Sequence, residues 1–255
     1  MSGFPNRLLP ITAITVRQLR GGNLVKVAMG LSLLPVLFAL INLLRRDASA
    51  PVFFVSTLYR ELILPTLAPI VILLIATAAF GNDMEDRTLP FITMKPIPRW
   101  RIVVEKWLAV LIVVFPTLLI GLAAFVGVAV LDDKQATAEA PSILLASGAM
   151  IAGVFVETLL LSSVFLLISL LIQRALLAGM VYVFVWESLL GRFLPGLKAV
   201  SARYAGESVF IQILDSRFIA KPDAASITGV LLVTAGVVII SLTLATMRLR
   251  SINLE

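Results

Sequence analysis

Six long apolar runs, none of them alternating polar and apolar positions, constrain this chain more than any other feature. They cover approximately Leu24–Leu44, Leu62–Phe80, Ile102–Leu131, Ser142–Ile172, Ala175–Leu190 and Ile227–Met247. A helix needs about twenty apolar residues to cross a hydrocarbon core of roughly 30 Å. Within that core every backbone polar group must be bonded inside the protein, which leaves helices or closed barrels. Barrel strands would show dyad alternation over segments of about ten residues, so the continuous runs predict helices. The expected fold is an all-α, polytopic membrane protein with six transmembrane helices in one transmembrane domain over residues 1–255. The third and fourth runs exceed the minimum and should tilt or project. Composition agrees, with 60% apolar and 14% charged residues, against roughly 25% charged in soluble domains.

Several kinds of chemistry are excluded. The chain has neither cysteine nor histidine, which removes disulfides, the usual zinc sites, Ser-His-Asp and Cys-His catalysis, and histidine proton relays. No G-x-x-x-x-G-K-[ST] segment occurs, so the chain lacks the usual phosphate-cradling loop of an ATPase. A net charge of +6 could suggest nucleic acid, but the basic residues cluster beside the apolar runs. Membrane lipid, with its anionic headgroups, is the expected partner of that charge, and nucleic acid is not.

Before the first run, Arg7, Arg17 and Arg20 alternate with Leu8, Leu9, Ile11, Ile14, Val16 and Leu19, and Gly21-Gly22 follows. This pattern over residues 7–20 predicts an amphipathic elbow helix lying in the membrane interface. With the N-terminus cytoplasmic, twelve of the 21 basic residues fall inside. Five of the remaining nine lie in the long connection 191–225, where positive charge counts little. Both termini are therefore expected in the cytoplasm.

The most charged stretch, residues 82–100 with its flanks, joins the second and third runs. It contains an acidic turn at Asp83–Asp86, a short apolar helix candidate at Thr88–Met94, and the turn Lys95-Pro96-Ile97-Pro98. The two prolines force their predecessors into extended backbone, so that helix should stop near Met94. A short amphipathic helix held at the membrane surface has the form that docks into a groove on a soluble partner.

The order acidic residue, Thr-Leu, apolar residues, Pro-Ile-x-Arg, then Ile and Lys at the head of the next run resembles the permeases of ABC-2 type transporters, the transmembrane subunits of prokaryotic ABC exporters. Glu85, Thr88, Leu89, Pro96, Ile97, Arg99, Ile102 and Lys106 occupy the matching positions. Arg87 stands where the family commonly has Gly, and Pro98 where it often has Ser. The resemblance implies that this loop holds a coupling helix, with Glu85, Thr88, Leu89, Phe91, Pro96 and Arg99 meeting a separate ABC ATPase subunit. It further implies two ATPase copies, a second permease subunit in a homodimer or heterodimer, ATP and magnesium on the ATPase rather than any cofactor on this chain, and a place in the prokaryotic inner membrane. The expected function is ATP-driven export of a hydrophobic or amphipathic substrate (lipid, drug or peptide) by alternating access.

Three residues are candidates for a pathway or gate. Glu157 lies well inside the fourth run, where an ionised carboxylate costs at least about 2.5–3.5 kcal/mol on insertion scales. It must face protein or a water-filled route, either as a structural hydrogen-bonding group or as part of the lining. Trp186 and Glu187 lie toward the end of the fifth run. They read either as an interfacial anchor paired with Arg192 or as part of an outer gate, and Trp-Glu at this place also resembles the type-2 permease pattern. The connection 191–225 is too apolar for a plain hydrated loop and suits short re-entrant helices. An uncoupled channel or scaffold is the main alternative. A lipid-modifying enzyme would concentrate Asp, His or Ser at one membrane level, and no such cluster is present.

Overall fold

The computed structural model describes residues 10–44, 51–85, 98–131, 143–172, 174–185, 201–214 and 224–251. Among them the chain is helical throughout, and five helical stretches are long and apolar enough to cross a membrane: Asn23–Leu44, Pro51–Gly81, Arg99–Val130, Ile143–Leu171 and Ile227–Ser251. The expected fifth span, Ala175–Leu190, is represented by the shorter apolar helix Ala175–Val185, because residues 186–190 lie outside the described set.

The chain opens with α1 (Pro10–Gly21), followed by the first span as two helices, α2 (Asn23–Ser32) and α3 (Leu34–Leu44). Pro35 has no N–H to give the carbonyl of Leu31, and its ring crowds that carbonyl. The break is bridged by the Leu33 amide, which reaches back to the Met29 and Gly30 carbonyls at 3.2 and 3.3 Å. The second span is longer than the 62–80 expected from sequence. It comprises α4 (Pro51–Leu58), a π-helical stretch Tyr59–Leu67, and α5 (Ala68–Glu85). Pro65 lies inside the π stretch, whose widened turn closes with the Ala68 amide donating to the Ile63 carbonyl, five residues back. A π turn absorbs the donor that proline removes.

The third span, α6 (Arg99–Val130), begins at Pro98, whose extended backbone forms its N-cap. The fourth, α7 (Ile143–Leu171), is buried on nearly every side. Then come α8 (Ala175–Val181), α9 (Ala202–Leu214) and the last span, α10 (Ile227–Ser251). The second and fourth spans form the interior of the bundle, with 83% and 67% of their apolar windows buried, while the first and last spans are 22% and 17% buried and line its outside. The burial pattern follows length and flanks poorly, because all five windows are comparably apolar. What separates them is how much of each helix's circumference its neighbours cover.

Small residues set the closest approaches. Gly121 of α6 meets the backbone of Ser32 at the break in the first span, where a Cβ would overlap the Ser32 carbonyl. A Cβ on Gly153 would lie 2.6 Å from the Gly206 carbonyl oxygen, and one on Gly206 would lie 3.0 Å from that of Gly153. Gly179 packs on the Leu73 side chain, whereas Gly127 and Gly148 have open space beside them. Small-residue approaches of this kind let helices pack without a hydrophobic driving force.

Candidate functional site

The end of the bundle that carries the 86–97 connection is held by three side chains from the first two turns of α6. Successive helix residues point about 100° apart, so Glu105 and Lys106 reach different neighbours although both are almost wholly buried, at 1% exposure each. The Glu105 carboxylate, through Oε2, accepts the Ile11 amide at 2.8 Å and the Thr12 amide at 3.2 Å. Its Oε1 accepts from Nε of Arg101 at 2.7 Å. The Thr12 hydroxyl adds a 3.0 Å bond to the Glu105 carbonyl.

These contacts have one physical logic. The first amides of a helix have no intrahelical acceptor, and the helix dipole makes that end positive. A carboxylate from α6 therefore satisfies two orphan donors of α1 and complements its dipole at once. The face α1 turns inward carries Ile11, Thr12, Thr15 and Leu19, while Ile14 is exposed. It is thus less apolar than the sequence pattern suggested.

Lys106 turns toward the second span. Its Nζ donates a short hydrogen bond to the Ala79 carbonyl and stands 4.4 Å over the Phe80 ring. The Ala79 carbonyl lies six residues before the end of α5, so the ammonium adds a bond to an intrahelical acceptor, and the ring face adds cation–π attraction. Arg99, the first residue of α6, does the same for the last span, with Nη1 donating to the Leu249 carbonyl at 2.7 Å. Directly after Lys106, Trp107 Nε1 donates to Ser162 Oγ at 2.9 Å and binds α6 to α7. The base of the third span is therefore fastened to α1, α5, α7 and α10.

Of the residues singled out for coupling, Arg99 is placed on the last span, and Glu85 is the last residue of α5. Thr88, Leu89, Phe91 and Pro96 lie outside the described residues, as do Trp186 and Glu187. Glu157 is 0% exposed, inside α7 and within electrostatic reach of the Tyr59 hydroxyl. Sequence reasoning assigned no role to Glu105, yet it is the centre of the cluster. A signal existed: a carboxylate one turn after Arg101 and adjacent to Lys106, at the head of an apolar run, cannot be left unpaired once the span is buried.

At the far end, Arg60 of the π stretch pairs with Glu207 of α9. Its Nε and Nη2 lie 2.9 and 2.6 Å from Oε1. The neighbouring Tyr59 hydroxyl donates to the Met150 carbonyl at 3.0 Å, and its ring packs on Phe210 with centroids 4.9 Å apart.

The family model described as ABC-2 family transporter protein matches residues 13–250. No curated protein matches the chain. That match takes in α6, its partners on α5, α7 and α10, and nearly every described helix, and the chain therefore belongs to the ABC-2 family of transporter proteins.

Proposed function

We propose that this multi-pass protein is the permease subunit of an ATP-driven exporter, powered by a separate ABC ATPase that docks on the 82–100 loop. The observation that carries this reading is the fastening at the base of α6. The loop runs directly from α5 into α6, and Lys106, Glu105 and Arg99 tie those two helices to one another, to α1 and to the last span. A push on the loop would therefore be delivered to most of the bundle as one body. Force transmission needs such a rigid connection, since packed helices shift as units rather than deforming continuously.

In this reading Glu85, Thr88, Leu89, Phe91, Pro96 and Arg99 form or flank the docking surface. ATP and magnesium are held by the ATPase, in two copies, and a second permease subunit completes the complex. The loop end faces the cytoplasm, with both termini, across a prokaryotic inner membrane. The cargo is hydrophobic or amphipathic: a lipid, a drug or a peptide.

The test is purification in mild detergent together with candidate ATPase subunits. An ATPase that accompanies the chain, hydrolyses ATP, and is lost when Thr88–Met94 is deleted supports the reading. Charge reversal at Glu85 or Arg99 should lower ATPase activity linked to transport while membrane insertion persists. A chain that purifies alone as a stable oligomer would instead make it a channel or scaffold.

A further inference from the structure

We propose that the loop end of α10 binds an anionic phospholipid, with Arg99, Arg248 and Arg250 around its headgroup and its chains along the exposed apolar face of that helix. Membrane insertion is all this requires; export is not.

About twenty residues span the hydrocarbon core. Counted from Ile227, where α10 starts, they end at Thr246, which puts Arg248 and Arg250 at headgroup level. The head of α6 gives the same depth independently. Its apolar run begins at Ile102, and Trp100, exposed beside Arg99, is of the residue type that sits at the membrane–water interface. The bond from Arg99 to the Leu249 carbonyl holds these two helix ends together.

Leu249 is buried and lies between Arg248 and Arg250, both exposed, so its bond to Arg99 gathers three guanidinium groups at one helix end. Neither exposed arginine is needed to cap that end. Arg99 serves the Leu249 carbonyl, and the Ser251 hydroxyl donates to that of Arg248 at 2.9 Å. Glu105, the acid on the first turns of α6, is committed to Arg101 and to the α1 amides. Among the described residues the other ion pair, Arg60 with Glu207, lies at the far end. Three like charges gathered in this way attract an anion, and each basic residue near an anionic lipid surface strengthens binding about fivefold.

The apolar face decides what kind of anion. Ile240, Leu244 and Met247 are exposed at spacings of three and four, which places them on one stripe of α10, opposite the buried Ser241, Ala245 and Leu249. Arg248 and Ser251 continue that stripe past the apolar run. A soluble acidic partner would meet the charges and leave the stripe unused. A phospholipid, with an anionic head in line with apolar chains, meets both.

The test uses the full chain, purified in mild detergent and washed free of lipid. Bound lipid is counted by native mass spectrometry as phosphatidylglycerol, or phosphatidylcholine with the same chains, is added. Phosphatidylglycerol should bind about tenfold or more tightly. Arg248→Gln with Arg250→Gln should weaken its binding about twentyfold and leave phosphatidylcholine unchanged. Arg17→Gln with Arg20→Gln, which removes the same charge from exposed positions on α1, should change it by about twofold at most. All four side chains are exposed, so both variants should fold, and unchanged phosphatidylcholine binding checks that they do. Equal losses in the two variants would reduce the effect to overall charge and overturn the site. So would glycerol phosphate, the headgroup alone, competing as well as the whole lipid, since the stripe would then contribute nothing. Phosphatidylglycerol selectivity that survives in the Arg248 and Arg250 variant, while a copurifying ATPase subunit or a second copy of the chain is lost, would overturn it too and make this surface a protein contact.

Discussion

Replacing Glu105 by Ala should release α1 from the bundle far more than any neighbouring substitution. The Ile11 and Thr12 amides, in residues 9% and 5% exposed, would lose the acceptor that now lies 2.8 and 3.2 Å away. A buried donor left without a partner costs about 1–3 kcal/mol, and loss of the negative charge at the helix N-terminus adds about 0.3–1 kcal/mol. Some water would enter the vacated space, so the net expectation is ~2–4 kcal/mol. At 1.36 kcal/mol per tenfold change, that is about a thirtyfold to thousandfold greater population of the detached helix. Thr15, 3% exposed on the inner face of α1, provides the probe. A Thr15→Cys chain, otherwise free of cysteine, would be labelled in membranes with and without Glu105→Ala. Arg101→Ala is the control, because its side chain is 42% exposed and its loss should change the rate by about fivefold or less. If Glu105→Ala accelerates labelling no more than Arg101→Ala does, the carboxylate is not what holds α1.

Three further outcomes follow from the packing. Gly153→Ala should lower thermal stability in detergent by about 1–3 kcal/mol, since its Cβ would sit 2.6 Å from the Gly206 carbonyl oxygen; Gly148→Ala, which meets nothing within 4 Å, should be neutral, and equal effects would refute the close-approach reading. Lys106→Met keeps the apolar stem but removes the donor to Ala79 and the cation over Phe80, so it should destabilise by about 1–3 kcal/mol; a stability equal to the parent's would show that the hydrogen bond is not needed to hold the second span. For Glu157, wholly buried in α7, Gln should preserve stability within about 1 kcal/mol if the group serves structure, and a large loss of export at normal expression would place it on the transport route.

Much of the fold was legible in the chain because a bilayer makes length and apolarity decisive. A run of twenty apolar residues has few alternatives to a helix once backbone groups must pair internally, and each of the five described spans comes within one residue of a predicted run at one or both ends. Pro98 was legible as a helix start for the same local reason, its fixed φ and missing donor. The second span was not: its apolar run was read from Leu62 because Arg60 and Glu61 interrupt the pattern, whereas the helix continues outward to Pro51. Those charges are tolerated because Arg60 finds a partner 147 residues away, and nothing local announces that partner.

Sequence alone therefore determined the class, the exclusion of histidine and cysteine chemistry, and the family. Each of these follows from composition, from spacing along one segment or from a local motif. Tertiary structure decided which spans are interior, which glycines are contacts and which charges have partners. Hydropathy is nearly the same along every span, so it cannot say which face meets protein and which meets lipid. Gly121 and Gly153 touch neighbouring backbones while Gly127 and Gly148 do not, though all four look alike in sequence. Glu105 became the centre of the candidate site only when the fold brought the first amides of α1, more than ninety residues away, within hydrogen-bond reach.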